Sequence, residues 1–173
     1  PSTEGRVVFG AVDTTPYLEG KQLPKTSDVV SLLYVGRLTH EKGAHTAIEA
    51  VSQLVKKNGI KHLKLTIVGD GEADYLDSLH KTVERDSLSS FVTFLPAQPK
   101  ESLPALYRQS DLFLFTSIWQ EPFGRVIVEA MASGMAVVGT AVGGAAEILV
   151  HDENALVFEV GDSFSLAQAL RRL

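Results

Sequence analysis

The sequence predicts a doubly wound α/β fold, a three-layer sandwich around a parallel sheet of about six strands. Three observations predict it. Short apolar runs alternate with longer runs of helical period along most of the chain, which implies right-handed crossovers and parallel strands. The short runs are apolar throughout, as strands covered on both faces require. Glycine-rich turns follow several of them, at Gly36, Gly69 and Gly139. In such folds ligands bind beyond the carboxyl ends of the strands.

Residues 29–35 (VVSLLYV) are the first strand, apolar or β-branched at nearly every position. Residues 36–43 are a turn. A helix follows at 44–57, where Ala47, Ile48, Val51, Leu54 and Val55 recur at helical spacing. The second strand, 63–68, ends at Gly69-Asp70-Gly71, and a helix at 73–85 carries Tyr75, Leu76, Leu79 and Val83. The third strand is 91–95, followed by a short helix at 101–109. The fourth strand is 112–116 and the next helix 123–133. Pro122 suits the first helical position, where a missing N–H costs nothing. The fifth strand is 136–139 and the sixth 155–158; a last helix runs from about residue 163 to the end. Residues 1–28, with Pro16, Gly20 and Pro24, read as a leading segment or linker ahead of one domain at 29–173.

Composition narrows the function. A chain of 173 residues, 45% hydrophobic and 21% charged, is an ordinary globular balance. The net charge of -5 argues against a nucleic-acid or anionic-membrane surface. With no cysteine there is no disulfide framework and no thiolate metal site, which fits a reducing compartment. The five histidines make no short metal-ligand pair. The longest uncharged run, 130–146, is broken by glycines and cannot be a membrane span. No secretory leader is visible. The first residue is Pro1, so the expectation is a piece of a longer protein.

The stretch from Glu121 to Glu129 (EPFGRVIVE) is the most informative. It puts one carboxylate at a loop-to-helix junction and another among apolar helical residues, where an unpaired charge is expensive. Read as continuous helix, the spacing separates the two by about 12 Å, too far for a close catalytic pair and suited to gripping two parts of one long ligand. A solvated helix stripe and an ordinary loop remain open from spacing alone. Residues 36–43 (GRLTHEKG) place Arg37 and Lys42 on one strand-to-helix turn, a planar fork and a point charge of the kind a diphosphate needs. An incidental pair of loop cations is the alternative.

Gly69-Asp70-Gly71 fails the dinucleotide fingerprint, because Asp74 stands where the third glycine belongs. Residues 142–147 (VGGAAE) are a tight turn, either structural or close to a ligand. Ser117 and Ser133 lack a nucleophile elbow. Trp119 is a packing residue or a stacking platform.

Together these segments resemble the C-terminal, nucleotide-sugar-binding domain of retaining glycosyltransferases of the GT-B architecture. The resemblance is to the group 1, or family-four, set that includes bacterial mannosyl- and glucosyltransferases and sucrose synthases. It covers nearly the whole chain. Phe9-Gly10-Ala11-Val12-Asp13 is similar to the interdomain linker, Gly36-Arg37 with Glu41-Lys42-Gly43 to the diphosphate loop, and Val68-Gly69-Asp70-Gly71 to the second strand-end turn. Glu121-Pro122-Phe123-Gly124 through Glu129 is similar to the E-x7-E motif, and Gly143-Gly144 with Glu147 to the late glycine turn. Two positions depart from the pattern: Leu95-Pro96, where glycine is common, and Asn154-Ala155-Leu156-Val157 in place of Asn-Gly-Leu-Leu.

The resemblance implies a Rossmann-like half of a GT-B fold and assigns roles. Arg37 and Lys42 would hold the donor diphosphate and stabilise the leaving group. Glu121 would meet the donor sugar and Glu129 the ribose. Gly36 and the backbone at Phe123, Gly124, Arg125 and Val126 would line the donor site. It implies a UDP-, GDP- or ADP-hexose donor, retention of configuration, no cofactor and no obligatory metal. It also implies a cytoplasmic protein, peripheral to a membrane in some relatives, and an acceptor domain absent from this chain. The chain alone would then bind nucleotide weakly and transfer little. A non-catalytic nucleotide-sugar-binding module and a ligand-free interaction domain are the competing readings; the latter predicts no nucleotide binding.

Overall fold

The structure is a computed structural model describing residues 11–18 and 28–173. Six strands form one sheet: β1 (Val30–Val35), β2 (Leu63–Val68), β3 (Val92–Leu95), β4 (Leu112–Phe115), β5 (Ala136–Gly139) and β6 (Leu156–Val157). All pairings are parallel, in the order β3-β2-β1-β4-β5-β6. The direction of winding reverses between β1 and β4. That reversal opens a crevice at the carboxyl ends of these two strands.

Alternate residues of β1 serve opposite faces, as strand geometry requires. Leu32 and Tyr34 pack in one core with Ile48, Val51, Leu79 and Leu166. These come from α2 (Ala44–Lys56), α3 (Ala73–Arg85) and α6 (Ser163–Leu170). Leu33 faces the other core, with Phe113, Tyr107 and Ile127. That layer holds α1 (Thr15–Leu18), α4 (Leu103–Arg108) and α5 (Arg125–Ala132). Asp162 caps α6 by accepting from the Phe164 and Ser165 amides at 2.8 and 3.1 Å.

Three features differ from the sequence expectation. Within the span read as linker, residues 15–18 form α1, and Tyr17 is 2% exposed, its ring edge-on to Tyr107. One buried aromatic gives a four-residue helix an anchor that periodicity cannot reveal. The rest of that span, residues 1–10 and 19–27, lies outside the described residues, and with it Phe9-Gly10 of the linker motif. Second, α5 begins at Arg125 and Pro122 is in the preceding loop, because Gly124 at φ +80° is left-handed and cannot belong to a right-handed helix. Glu121 therefore sits off the helix, and a distance measured along a helical axis does not describe its separation from Glu129. Third, two turns tighten into 3-10 helices, at His40–Lys42 and Gly143–Glu147.

Candidate functional site

A cavity of about 350 Å³ occupies the crevice between β1 and β4. Gly36 and Arg37 enter it from the end of β1, and Lys42 from the 3-10 turn before α2. The loop after β4 contributes Ser117, Glu121, Phe123 and Gly124, and the first turn of α5 contributes Arg125 and Val126. Of the residues that the resemblance assigns to the donor site, all are on this wall except Glu129.

Lys42 Nζ forms an ion pair with Glu121 Oε1, and Ser117 Oγ donates to the same oxygen at 2.9 Å. Glu121 is only 9% exposed. A buried carboxylate needs such partners, since desolvation is repaid only by good pairing and hydrogen bonding. Arg37 is exposed at the mouth. The Gly143-Gly144 turn lies against the Glu121–Pro122 backbone: Gly144 N donates to Glu121 O at 2.5 Å, and a Cβ on Gly144 would fall 2.2 Å from Pro122 O. Its glycines thus serve a close approach of two backbones.

The amino terminus of α5 faces the same space. Its cap is Gly124, which brings no side chain to satisfy the first amides. The Ile127 amide closes on Gly124 O at 2.9 Å, and the amides before it belong to the helix end that favours anions.

Glu129 lies elsewhere. Val126, three residues earlier and on the adjacent helix surface, reaches the cavity, but Glu129 is 5% exposed behind it, accepting from Tyr107 Oη at 3.2 Å. Burial, then the Glu129 charge, pushes the Tyr17 hydroxyl to about 12. Burial first and Glu129 second also hold Tyr107 well above the usual phenol range. Among the described residues the buried Tyr17 hydroxyl has no hydrogen-bond partner of ordinary geometry, and it lies close enough to Glu129 to feel its charge.

A neighbouring cavity of about 260 Å³ shares Val35, Gly36 and Arg37 with the first and extends over Val68, Gly69, Asp70, Gln98 and Leu103. The Gly69-Asp70-Gly71 turn braces the shared loop through Leu38 N to Asp70 O, 2.8 Å. Gln98 Nε2 donates to Pro96 O at 2.8 Å, so the Leu95-Pro96 departure lies beside this second space.

Tyr34, Thr116 and Ser117 line the cavity, and Tyr107 holds Glu129, without a signal in the sequence that singles them out. Each hydroxyl-bearing side chain stands in an apolar run or beside one, where it reads as core; a buried polar atom demanding a partner was the available hint. Among the described residues, no three His, Asp or Glu side chains gather as a metal would need, and no helix is long and apolar enough to cross a membrane.

The family model described as "Glycosyl transferases group 1" matches residues 19–173. The lipopolysaccharide core biosynthesis glycosyltransferase LpsE of Rhizobium meliloti is 34% identical over 169 residues, 98% of this chain and 44% of its own length. The crystal structure of Anabaena HepE in complex with UDP-glucose superposes with a TM-score of 0.84 at 32% identity, over 96% of this chain and 47% of that one. The C-terminal domain of the group 1 family protein LpcC from Francisella tularensis gives 0.80 at 28% identity, over 94% of this chain and 87% of that one. The chain spans less than half the length of the curated relatives it matches.

Proposed function

The chain belongs to the group 1 glycosyl transferases, and from that premise we propose that it is the donor-binding part of an enzyme moving a hexose from a nucleoside-diphosphate sugar to an acceptor with retention of configuration. One observation carries this reading. Arg37, Lys42, Glu121 and the open amino terminus of α5 line a single cavity at the point where the sheet reverses.

The chemistry follows from that arrangement. A diphosphate carries its charge on several oxygens and needs cations and oriented amides around it. Lys42 and Arg37 supply the cations, and the first amides of α5 supply the dipole. As the bond from the sugar to the phosphate breaks, negative charge grows on the leaving diphosphate. Groups already oriented toward it stabilise that state without reorganising. Lys42 is paired with Glu121; in this reading a phosphate oxygen competes for the ammonium, which leaves the Glu121 carboxylate to accept from a sugar hydroxyl. The Glu129 carboxylate has acceptor capacity beyond the bond from Tyr107, enough for ribose hydroxyls that reach past Val126.

The reading includes a UDP donor, supported by the UDP and UDP-glucose complexes of HepE, a protein similar to this chain. It includes no cofactor or metal, because the side chains and helix end answer the phosphate charge. It includes a second, acceptor-binding domain, supported by relatives about twice as long, and a cytoplasmic location, supported by the cysteine-free composition.

Calorimetric titration with UDP, GDP and ADP, each with and without an attached hexose, tests the proposal. UDP and UDP-glucose should bind and Lys42→Ala should weaken both. Absence of binding by every nucleotide would overturn it in favour of a ligand-free interaction domain.

A further inference from the structure

We propose that Tyr34 and Thr116 are positioning residues, whose buried hydroxyls clamp the backbone of the 37–43 loop so that Arg37 and Lys42 are aimed before any ligand arrives. The inference rests on the donor-site reading above and adds the device that sets the loop.

Two hydroxyls meet three carbonyls. Tyr34 Oη lies 3.2 Å from Arg37 O and 3.2 Å from Lys42 O. Thr116 Oγ1 lies 2.8 Å from Gly43 O and 3.2 Å from Lys42 O. Each hydroxyl has a single proton, so the three carbonyls share two donors, and the Lys42 carbonyl is approached from both sides. Tyr34 rises from β1 and Thr116 follows β4, the two strands that flank the crevice. The loop is thus fastened to the rigid sheet at its start and at its end. Tyr34 is 3% exposed and Thr116 1%, and burial raises the Tyr34 hydroxyl far above the usual phenol range, which keeps it a donor.

The arrangement matters because of what carbonyls do near anions. A diphosphate site wants N–H groups and cations facing it and carbonyl oxygens turned away. Carbonyls fastened to interior hydroxyls stay turned away. Further contacts hold the middle of the loop: Ile118 N donates to Glu41 O at 2.9 Å, and Ser117 Oγ lies 3.3 Å from the same carbonyl. Ser117 also binds Glu121, so the loop that carries the cations and the loop that carries the acid are tied together.

The test uses UDP as probe and calorimetry as readout on the 173-residue chain, with melting temperature alongside. Tyr34→Phe removes one hydroxyl and keeps the ring; Thr116→Val removes the other and keeps the shape. Each should weaken UDP about fivefold or more while the chain still melts cooperatively. Thr116→Ser should restore affinity to within about twofold of the parent. In a Lys42→Ala background Tyr34→Phe should lose most of its effect, which a general loss of structure would not do. Variants that fold and bind UDP like the parent overturn the clamp while leaving the donor site standing; a parent chain that binds no UDP overturns both. Should either variant fail to fold, hydrogen exchange of the parent decides. The Lys42 and Gly43 amides, bonded to Thr39 O and His40 O at 3.0 and 3.1 Å, must be protected before UDP is added; protection that appears only with UDP overturns the proposal.

Discussion

Lys42 and Glu121 stand 79 positions apart in sequence and meet as an ion pair in the wall of one cavity. The pair joins the turn after β1 to the loop after β4, and it sets the first prediction. Lys42→Ala removes the proposed phosphate partner and leaves Glu121, among the described residues, with the Ser117 hydroxyl as a side-chain donor. UDP affinity should fall about tenfold, the value of one charge-assisted hydrogen bond of ~1.5 kcal/mol. Glu121→Gln removes the competitor for Lys42. It should leave UDP binding equal or tighter while UDP-glucose loses its advantage over UDP. Parallel titrations of the two variants separate these roles; identical losses in both would contradict them.

The second prediction concerns Gly43. It sits at φ +71°, and a Cβ there would lie 1.9 Å from the Thr116 carbonyl oxygen. Neither atom belongs to a flexible side chain, so nothing can yield cheaply. Gly43→Ala should cost about 4 kcal/mol, in the range reserved for severe backbone conflicts. Gly59 provides the comparison, at φ +69° with open space around its Cβ position. Gly59→Ala should cost only about 1 kcal/mol, the left-handed strain alone. Urea unfolding of both variants measures the difference.

A third prediction follows from the bond between Tyr107 and Glu129. Tyr107→Phe keeps the ring stacked on Phe113 and strips a donor from a buried carboxylate. The loss should be about 1–3 kcal/mol. Glu129→Gln in the same chain should shrink that loss, because a neutral amide needs the phenol less. A double-mutant cycle by thermal melting reads the coupling; strict additivity would mean that the two side chains are independent.

The fourth prediction is a pH slope. Burial, and then the neighbouring His40, hold the His45 imidazole below its ordinary value, with Glu49 opposing. The rings of His40 and His45 stack at 4.5 Å, and the Tyr75 hydroxyl meets His45 Nδ1 at 2.8 Å. A depressed pKa means that the unfolded chain binds a proton more readily. The contribution of neutral His45 is therefore complete above the unfolded value of about 6.5 and is lost as pH falls below it. Melting temperatures between pH 8 and pH 5 should decline on the acid side, and His45→Gln should flatten part of that decline.

How much of this was legible without coordinates differs by element. The bounds of β2, α3 and β5 match the apolar runs read from the sequence, since each run is bounded by glycine or a polar turn and carries its own period. The start of α5 was misread because Pro122 announces a helix that Gly124 forbids until Arg125. Helix α1 was invisible, being four residues with one anchor. In the sequence Ser117 invites only the question of a nucleophile, and its bond to Glu121 depends on a loop conformation that no pattern encodes.

The chain's local periodicity determined the order of strands and helices, and its turn chemistry determined which loops carry Arg37, Lys42 and Glu121. Those properties arise from neighbours a few residues apart and survive reading in one dimension. Tertiary structure alone decided that Lys42 pairs with Glu121, that Tyr34 and Thr116 hold the same loop, and that Glu129 retreats behind Val126 to Tyr107. The Lys42–Glu121 and Thr116–Gly43 contacts depend on strand register and on the reversal between β1 and β4, which bring segments more than 70 residues apart within hydrogen-bonding distance; Tyr34 reaches its loop because the chain turns back after β1, and Glu129 reaches Tyr107 because α4 and α5 pack together.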